Sequence, residues 1–343
     1  MIAPSSVPMV WVPVLPYTLV APGQSPALVS LDHYEEAYSN RATIVLAAGS
    51  SLDPNVSLLS PEQYLGVPIL ISYGYFGTDG AFAGSVDHGP LYVVRWDVSS
   101  EEGVVLLTFD CVSWWEFLEG SAMWRDPRAN LEPPPLVWPR TTTILDIVKA
   151  RIEPRAPVFL DEDDGIIATY APYIEAQQGD SVLAFVRNMM NMTECAISIR
   201  PDGFHIVRPD IDKPPHYTYS TGGHTFYRVN RSNRLIIPNT VYAVEQTAAI
   251  GSKVKHVGTA EDVDSLGKVG TIATFIVDSG IKSAAEASNR AGAWMRRQRL
   301  KKWTGNLRVP MNPIQEIYDV VEANDWRSGI AMKGVVTRLH RHW

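Results

Sequence analysis

Cysteine is nearly absent: Cys111 and Cys195 are the two among 343 residues. Two thiols make no disulfide framework and are too few for a cysteine-rich zinc site, so both are expected as reduced core residues. Positive charge is also short, with 30 Lys and Arg against 37 Asp and Glu and a net charge of −7. Proteins that grip duplex nucleic acid are usually basic, so general affinity of that kind is disfavoured. A wall that nucleic acid slides past remains compatible. No apolar run approaches the roughly 18 residues of a membrane helix. The start has no Lys/Arg n-region, and Pro4, Pro8, Pro13 and Pro16 interrupt any apolar h-region. No signal peptide is therefore expected, and folding and assembly are expected in a cytoplasm.

Catalytic motifs are missing as well. There is no G-x-x-x-x-G-K-[ST] phosphate loop, no H-E-x-x-H and no G-x-S-x-G elbow. The eight histidines are scattered; His340 and His342 would share one face of a strand, but with no evident third ligand they are expected as surface residues. The acidic run Asp161 to Asp164 lacks the alternation and distal Glu of a calcium loop and reads as a solvated turn. Cys195 sits in an apolar run, which argues for burial over nucleophilic chemistry. The basic stretch from Arg290 to Lys302, with Trp294 and Trp303 interleaved, reads as a helix with its polar face in water; a protein contact or nucleic acid are the rivals. No catalytic, cofactor-binding or metal residue is assigned, and no enzyme or cofactor is expected.

What the chain does have is 45% hydrophobic and 20% charged residues, a globular balance, over a length that suggests more than one core. Up to about residue 110 the signals are β: runs 42–47, 68–72, 91–96 and 103–109, with turns expected at Asp53–Pro54, 77–80 and 87–90. Residues 114–118 read as a short apolar turn or helix, and the Pro-rich stretch 132–139 as an extended loop. Thr143 is placed to cap a helix with Ile144, Leu145, Ile147, Val148 and Ile152 on its apolar face. Asp180 or Ser181 caps the next, whose face is Val182, Leu183, Phe185, Val186, Met189 and Met190. A hairpin follows, 195–199 and 204–207 around Pro201, Asp202 and Gly203. Strands return at 235–237, 240–244 and 271–277. A long helix, about 283–302, opens with a Ser283/Glu286 capping box, pairs Glu286 with Arg290, and lines one face with Ala284, Ala287, Ala291, Trp294 and Met295. Strands close the chain at 317–322 and 333–339.

Trp114 to Leu118, the loop, and Thr143 to Val148 together resemble a stretch of phage baseplate and tail hub proteins, shared by the hub half of type VI secretion spike proteins. There a Trp/Leu segment precedes a "Ser/Thr-x-x-Asp-Ile-Ile" helix, matched here by Asp146 and Ile147. Ser181, Phe185 and Arg187, then Pro201 to Gly203, are similar to that family's next helix and hairpin. Asn312 and Pro313, followed by Tyr318 to Glu322, resemble the segment closing many siphophage-like hubs. Two departures stand out: Met189 replaces the expected Leu after an extra residue, and Ile317 and Tyr318 stand where a Gly is usual before Asp319.

The resemblance implies a mainly β chain with some α: two tail-tube-like β-barrels bridged by a helix-and-hairpin domain. The corresponding boundaries are 1–111, 112–210 and 211–343, the last with the long helix inserted. It implies a homotrimer in a virion tail tip or baseplate, joining a six-fold tube to a three-fold tip. Its partners would be a distal tail or tube protein, a tape-measure protein and a tip, spike or fibre protein, with DNA passing unbound. Trp114, Trp115, Asp146, Ile147, Phe185, Val186, Gly203 and Trp294 are the structural or interface candidates. The rival from another class is a glycan-binding or glycan-hydrolysing tail protein, whose aromatics and acids would line a cleft.

Overall fold

In a computed structural model, residues 6–11, 19–20, 27–48, 64–76, 82–101, 104–123, 137–177, 179–223, 226–245, 255–278 and 280–343 are described. The turns expected at Asp53–Pro54 and 77–80 lie outside them, as does most of the Pro-rich loop. The chain is mainly β with five helices among the described residues.

The first part is a run of strands: β1 (Ser6–Trp11), β2 (Leu19–Val20), β3 (Ala27–Glu36), β4 (Ser39–Ala48), β5 (Pro68–Phe76), β6 (Phe82–Glu101) and β7 (Val104–Val112). They form an antiparallel sheet in the order β2-β1-β5-β6-β7-β4-β3. Period-two alternation explains it. Leu31, Ala42, Ile44, Leu46, Leu107 and Phe109 point to one buried face, while Arg41 points out. Residues 87–90 are not a turn. They run within the 20-residue β6, where the pairing to β5 slips between Ile69 and Ile71. A second slip, between Val93 and Arg95, interrupts the pairing to β7. Such bulges bend and twist a strand, and the sheet curls into a half-barrel. Cys111 is buried under it, and burial pushes its thiol up to about 12.

The middle part holds α1 (Trp114–Glu119), β8 (Val137–Trp138), α2 (Ile144–Ile152), β9 (Val158–Leu160), β10 (Ile174–Glu175), α3 (Val182–Met190), β11 (Ala196–Arg200) and β12 (Gly203–Val207). The helix starts follow from their caps: Ser113 with Glu116 makes a full capping box, Thr143 accepts from Asp146 N, and Ser181 from Ala184 N. β11 and β12 form the hairpin around Pro201 and Asp202, and β9 adds to β12 in parallel. Gly203 has φ of 151°, and a Cβ there would lie 2.5 Å from the Pro157 carbonyl oxygen. Only glycine permits that approach of β12 to the strand beside it.

The rest comprises β13 (Tyr217–Ser220), β14 (Arg228–Asn233), β15 (Thr240–Glu245), β16 (Val257–Glu261), α4 (Val263–Val269), β17 (Ala273–Asp278), α5 (Ala284–Leu300), β18 (Trp303–Arg308), β19 (Val320–Asp325), β20 (Ile330–Val335) and β21 (Arg338–His342). Among the described residues these make three small sheets, β13-β19-β20, β14-β18 and β16-β15-β17, not one closed second barrel. α5 lies on β15 and β16, close enough that a Cβ on Gly258 would fall 2.1 Å from the Ala287 carbonyl carbon. The expected capping box is offset: Ser283 accepts from Glu286 N, but Glu286 accepts from Lys282 N. Glu286 pairs with Arg140 rather than Arg290, whose partner is Asp278. β21 leaves this region and pairs with β3, becoming the eighth strand of the first sheet.

Candidate functional site

Three places follow from this arrangement: the middle core, the basic helix, and a buried polar latch under the first sheet.

Five of the sequence candidates converge in the middle core. Trp115, Ile147, Phe185 and Val186 are buried there, and Trp114 packs against it. Phe204 joins the helices to the hairpin, stacked on Trp114 at 5.4 Å and edge-on to Trp115 at 5.0 Å. Phe185 stacks on Trp138 at 5.0 Å. Asp146 is exposed in the first turn of α2, where Thr143 Oγ1 donates to it over 2.7 Å. Gly203 shapes the hairpin. Trp294 is not part of this group; it packs half-buried against the separate cluster under α5, with Ala287, Ala291 and Met295. Tyr38, at the tip of the β3–β4 hairpin, reaches in from the first sheet. Its ring meets Trp115 at 5.1 Å and lies 4.9 Å below the Arg187 guanidinium, and burial pushes its hydroxyl up to about 12. The resemblance had singled out Arg187; the cation–π contact gives it a physical task.

The basic stretch is occupied by its own chain. Arg290 pairs with Asp278, Arg296 with Glu194 and Asp210, and Lys302 with Asp262 and Asp264. Arg299 lies 3.6 Å from Asp262, and Arg297 donates to the Thr193 carbonyl. The helix is thus tied to the middle part and to the cap of α4; Arg290, Arg296, Arg299 and Lys302 already face carboxylates, and Arg297 a carbonyl. The acidic run 161–164 is likewise more than a solvated turn. Asp161 accepts from Arg200, Glu162 from Arg208 N and Lys213, and Asp164 from Ile166 N, Ile167 N and Glu194 N.

The latch was not foreseen. β3 turns His33 and Glu35 inward beside Leu31, and β21 turns Arg341 toward them. Arg341 donates to Glu35 Oε2 over 2.6 Å and to the Gln315 carbonyl, and lies 5.2 Å over the Tyr73 ring. His88 Nε2 donates to the Pro313 carbonyl at 2.9 Å, and its Nδ1 is 3.3 Å from Glu35. Burial pushes the Glu35 carboxyl up, but Arg341 and the neighbouring histidines outweigh this and hold it well below the usual range. Burial also lowers His33, to about 4, against the pull of Glu35. A neutral His33 fits its partners: Nε2–H donates to Asn40 Oδ1 at 2.9 Å and Nδ1 accepts from the Tyr73 hydroxyl at 2.8 Å. The faint signal in the sequence was the alternation itself, which puts two ionisable residues of β3 on its apolar face.

Chemically the latch holds strands together. The cleft beside it, lined by Glu35, Asn40, His88 and Glu316, holds about 30 Å³, room for a water or two and far less than a sugar ring. Both cysteine thiols, Cys195 also pushed up to about 12 by burial, stay protonated at neutral pH.

No family model and no curated protein matches the chain. Solved structures do. The tail protein from Neisseria meningitidis MC58 superposes with a TM-score of 0.68 at 14% identity, over 98% of this chain and 92% of that one. The prophage MuSo2 43 kDa tail protein from Shewanella oneidensis gives 0.65 at 11% identity, over 98% and 94%. Prophage tail protein gp18 from Listeria monocytogenes EGD-e gives 0.51 at 10% identity, over 91% and 83%. At these identities the likeness is one of fold: the chain has the fold of phage tail proteins along nearly its whole length.

Proposed function

We propose that this chain is a structural hub of a phage or phage-like tail, placed at the tail tip or baseplate of the virion. The observation that carries the reading is the match in fold to phage tail proteins over 98% of the chain. The polar clusters fit it: they join elements of one chain and leave no sugar-sized cleft at the latch. In this reading three copies form an adaptor around a channel, between a six-fold tube and a three-fold tip, with a tube protein, a tape-measure protein and a spike or fibre protein as neighbours. The candidate core residues keep the middle unit rigid. The domain division becomes residues 1–111 completed by 338–342, a bridging unit 112–210, and a third unit from 211.

The sheet β16-β15-β17 supports self-association. α5 covers one face, while the other exposes Phe275 and Val277 on edge strand β17 and Val257 on β16. An antiparallel or mixed sheet in water normally keeps one face polar, so a second copy of this chain is the proposed cover. Light scattering of the purified protein tests the reading. A mass of three chains, and three-fold particles by electron microscopy, are expected. A stable monomer, alone and with tail partners, overturns the trimer.

One feature favours a glycan-binding role instead. Between β13 and the β19–β20 turn lies an open groove of about 390 Å³ beside Asn324, Asp325 and Trp326, a residue 77% exposed. An exposed Trp beside polar groups suits a sugar face. Binding of cell-wall or capsule glycans, lost in Trp326→Ala, would support that reading.

A further inference from the structure

On the face of β3 and β21 opposite the latch, three potential ligands meet. Asp32 Oδ1 lies 2.7 Å from His342 Nδ1 and 3.1 Å from His340 Nε2, and the three atoms fall within 4.8 Å of one another. The two histidines share a face because they are two apart on a strand. The third ligand, missing from the sequence neighbourhood, comes from β3, where Asp32 pairs directly with His342. All three are solvent-accessible, so an ion can enter. The face is also built: Tyr34 stacks on the His340 ring at 4.0 Å, and Arg338 pairs with Glu36 at 2.7 Å further along it.

We propose that Asp32, His340 and His342 bind a divalent transition-metal ion of the zinc class. Two imidazoles and one carboxylate are a donor set for such ions rather than for calcium or magnesium, which prefer all-oxygen shells. The spacing fits. Ligands at about 2.1 Å around a tetrahedral ion stand roughly 3.4 Å apart, so the Asp32 contact to His340 needs to open by about 0.3 Å and that to His342 by about 0.7 Å. The fourth position faces water. Tyr34 is a positioning residue, holding the His340 ring in place. The ion would staple edge strand β21 to β3, directly over the Glu35–Arg341 pair on the other face.

Metal-stripped protein without an affinity tag is titrated with zinc chloride at neutral pH, by calorimetry and by thermal melting, and with cobalt(II) by visible absorption. One ion per chain, a raised melting temperature and tetrahedral d–d bands of cobalt are expected. Asp32→Asn and His342→Ala should weaken binding by more than about tenfold and lose the cobalt bands, and Tyr34→Ala by about tenfold. His256→Ala, on a distant strand end, should change nothing. Circular dichroism confirms that the variants are folded. Binding unaltered by Asp32→Asn and His342→Ala, or none at micromolar zinc, overturns the proposal. It stands or falls apart from the hub reading, since it concerns one chain only.

Discussion

Up to residue 210 the apolar side chains pack into two broad cores, one under the first sheet and one among α1, α2, α3 and the hairpin. Beyond 211 the buried clusters are small: Ile236, Val241, Ala243 and Ile281 under α5, and Tyr219, Phe226 and Ala323 elsewhere. There, ion pairs tie α5 to its surroundings, and large apolar groups such as Phe275, Val263 and Ile237 face solvent. Hydrophobic burial is the larger stabilising effect, and exposed ion pairs contribute little. The first two-thirds therefore carry most of the chain's own stability, and the last third buries less apolar surface of its own.

Substitutions can break or sharpen this contrast. Phe185→Ala, in the middle core, should cost about 3–5 kcal/mol in denaturant unfolding; a cost below about 1 kcal/mol would mean that this core does not carry the fold. Glu35→Ala should cost a similar 3–5 kcal/mol, since it leaves Arg341 buried without its anion. Replacing both partners, Glu35→Leu with Arg341→Met, should recover most of that loss, which would mark the latch as a device for pairing the right strands.

Acid probes the same place. His33 titrates near 4 in the folded chain against an ordinary 6.5, so the unfolded chain binds more protons between those values. The contribution is present in full above about 6.5 and is lost as pH falls toward 4. Glu35, held low, adds a further loss below the ordinary carboxylate range. Melting temperature should fall through this window, and less steeply in His33→Gln; an equal slope in both would remove His33 from the account.

Smaller effects test the finer geometry. Tyr318 has φ of 74°, in the left-handed region, at the place where the resembled hub segment carries Gly. Tyr318→Gly should be more stable than Tyr318→Ala by about 1 kcal/mol. Smallest of all, Phe275→Ala should change single-chain stability by less than about 0.5 kcal/mol while weakening self-association measured by sedimentation. A large loss of stability there would mean that the exposed sheet face is part of the fold after all.

The parts legible in the sequence were those with local causes. The caps Thr143, Ser181 and Ser283 and the periodic faces behind them placed α2, α3 and α5, and Pro201 to Gly203 placed the hairpin. Long-range pairings were not legible. Nothing near Val158 announces a parallel partner at Phe204, and nothing near Arg338 announces Glu36. β14, rich in Arg and Asn, escaped notice because its two-stranded ribbon with β18 leaves it exposed, with no apolar alternation to read. Residues 87–90 carry turn chemistry, yet flanking strands absorb them as a bulge. The latch was missed for a related reason: each of its ionisable groups is unremarkable alone, and only β3 and β21 together neutralise them.

The pairing of β3 with β21 also sets an order of events during synthesis. About three hundred residues separate the two strands, so for most of the time the chain is being made, one edge of the first sheet is bare and Glu35 has no cation beside it. A bare edge is a template for wrong partners, and a lone buried carboxylate makes early closure costly. A ribosome must therefore deliver Arg341 before the first sheet can settle, and any nascent chain cut short is left with an open, unstable edge.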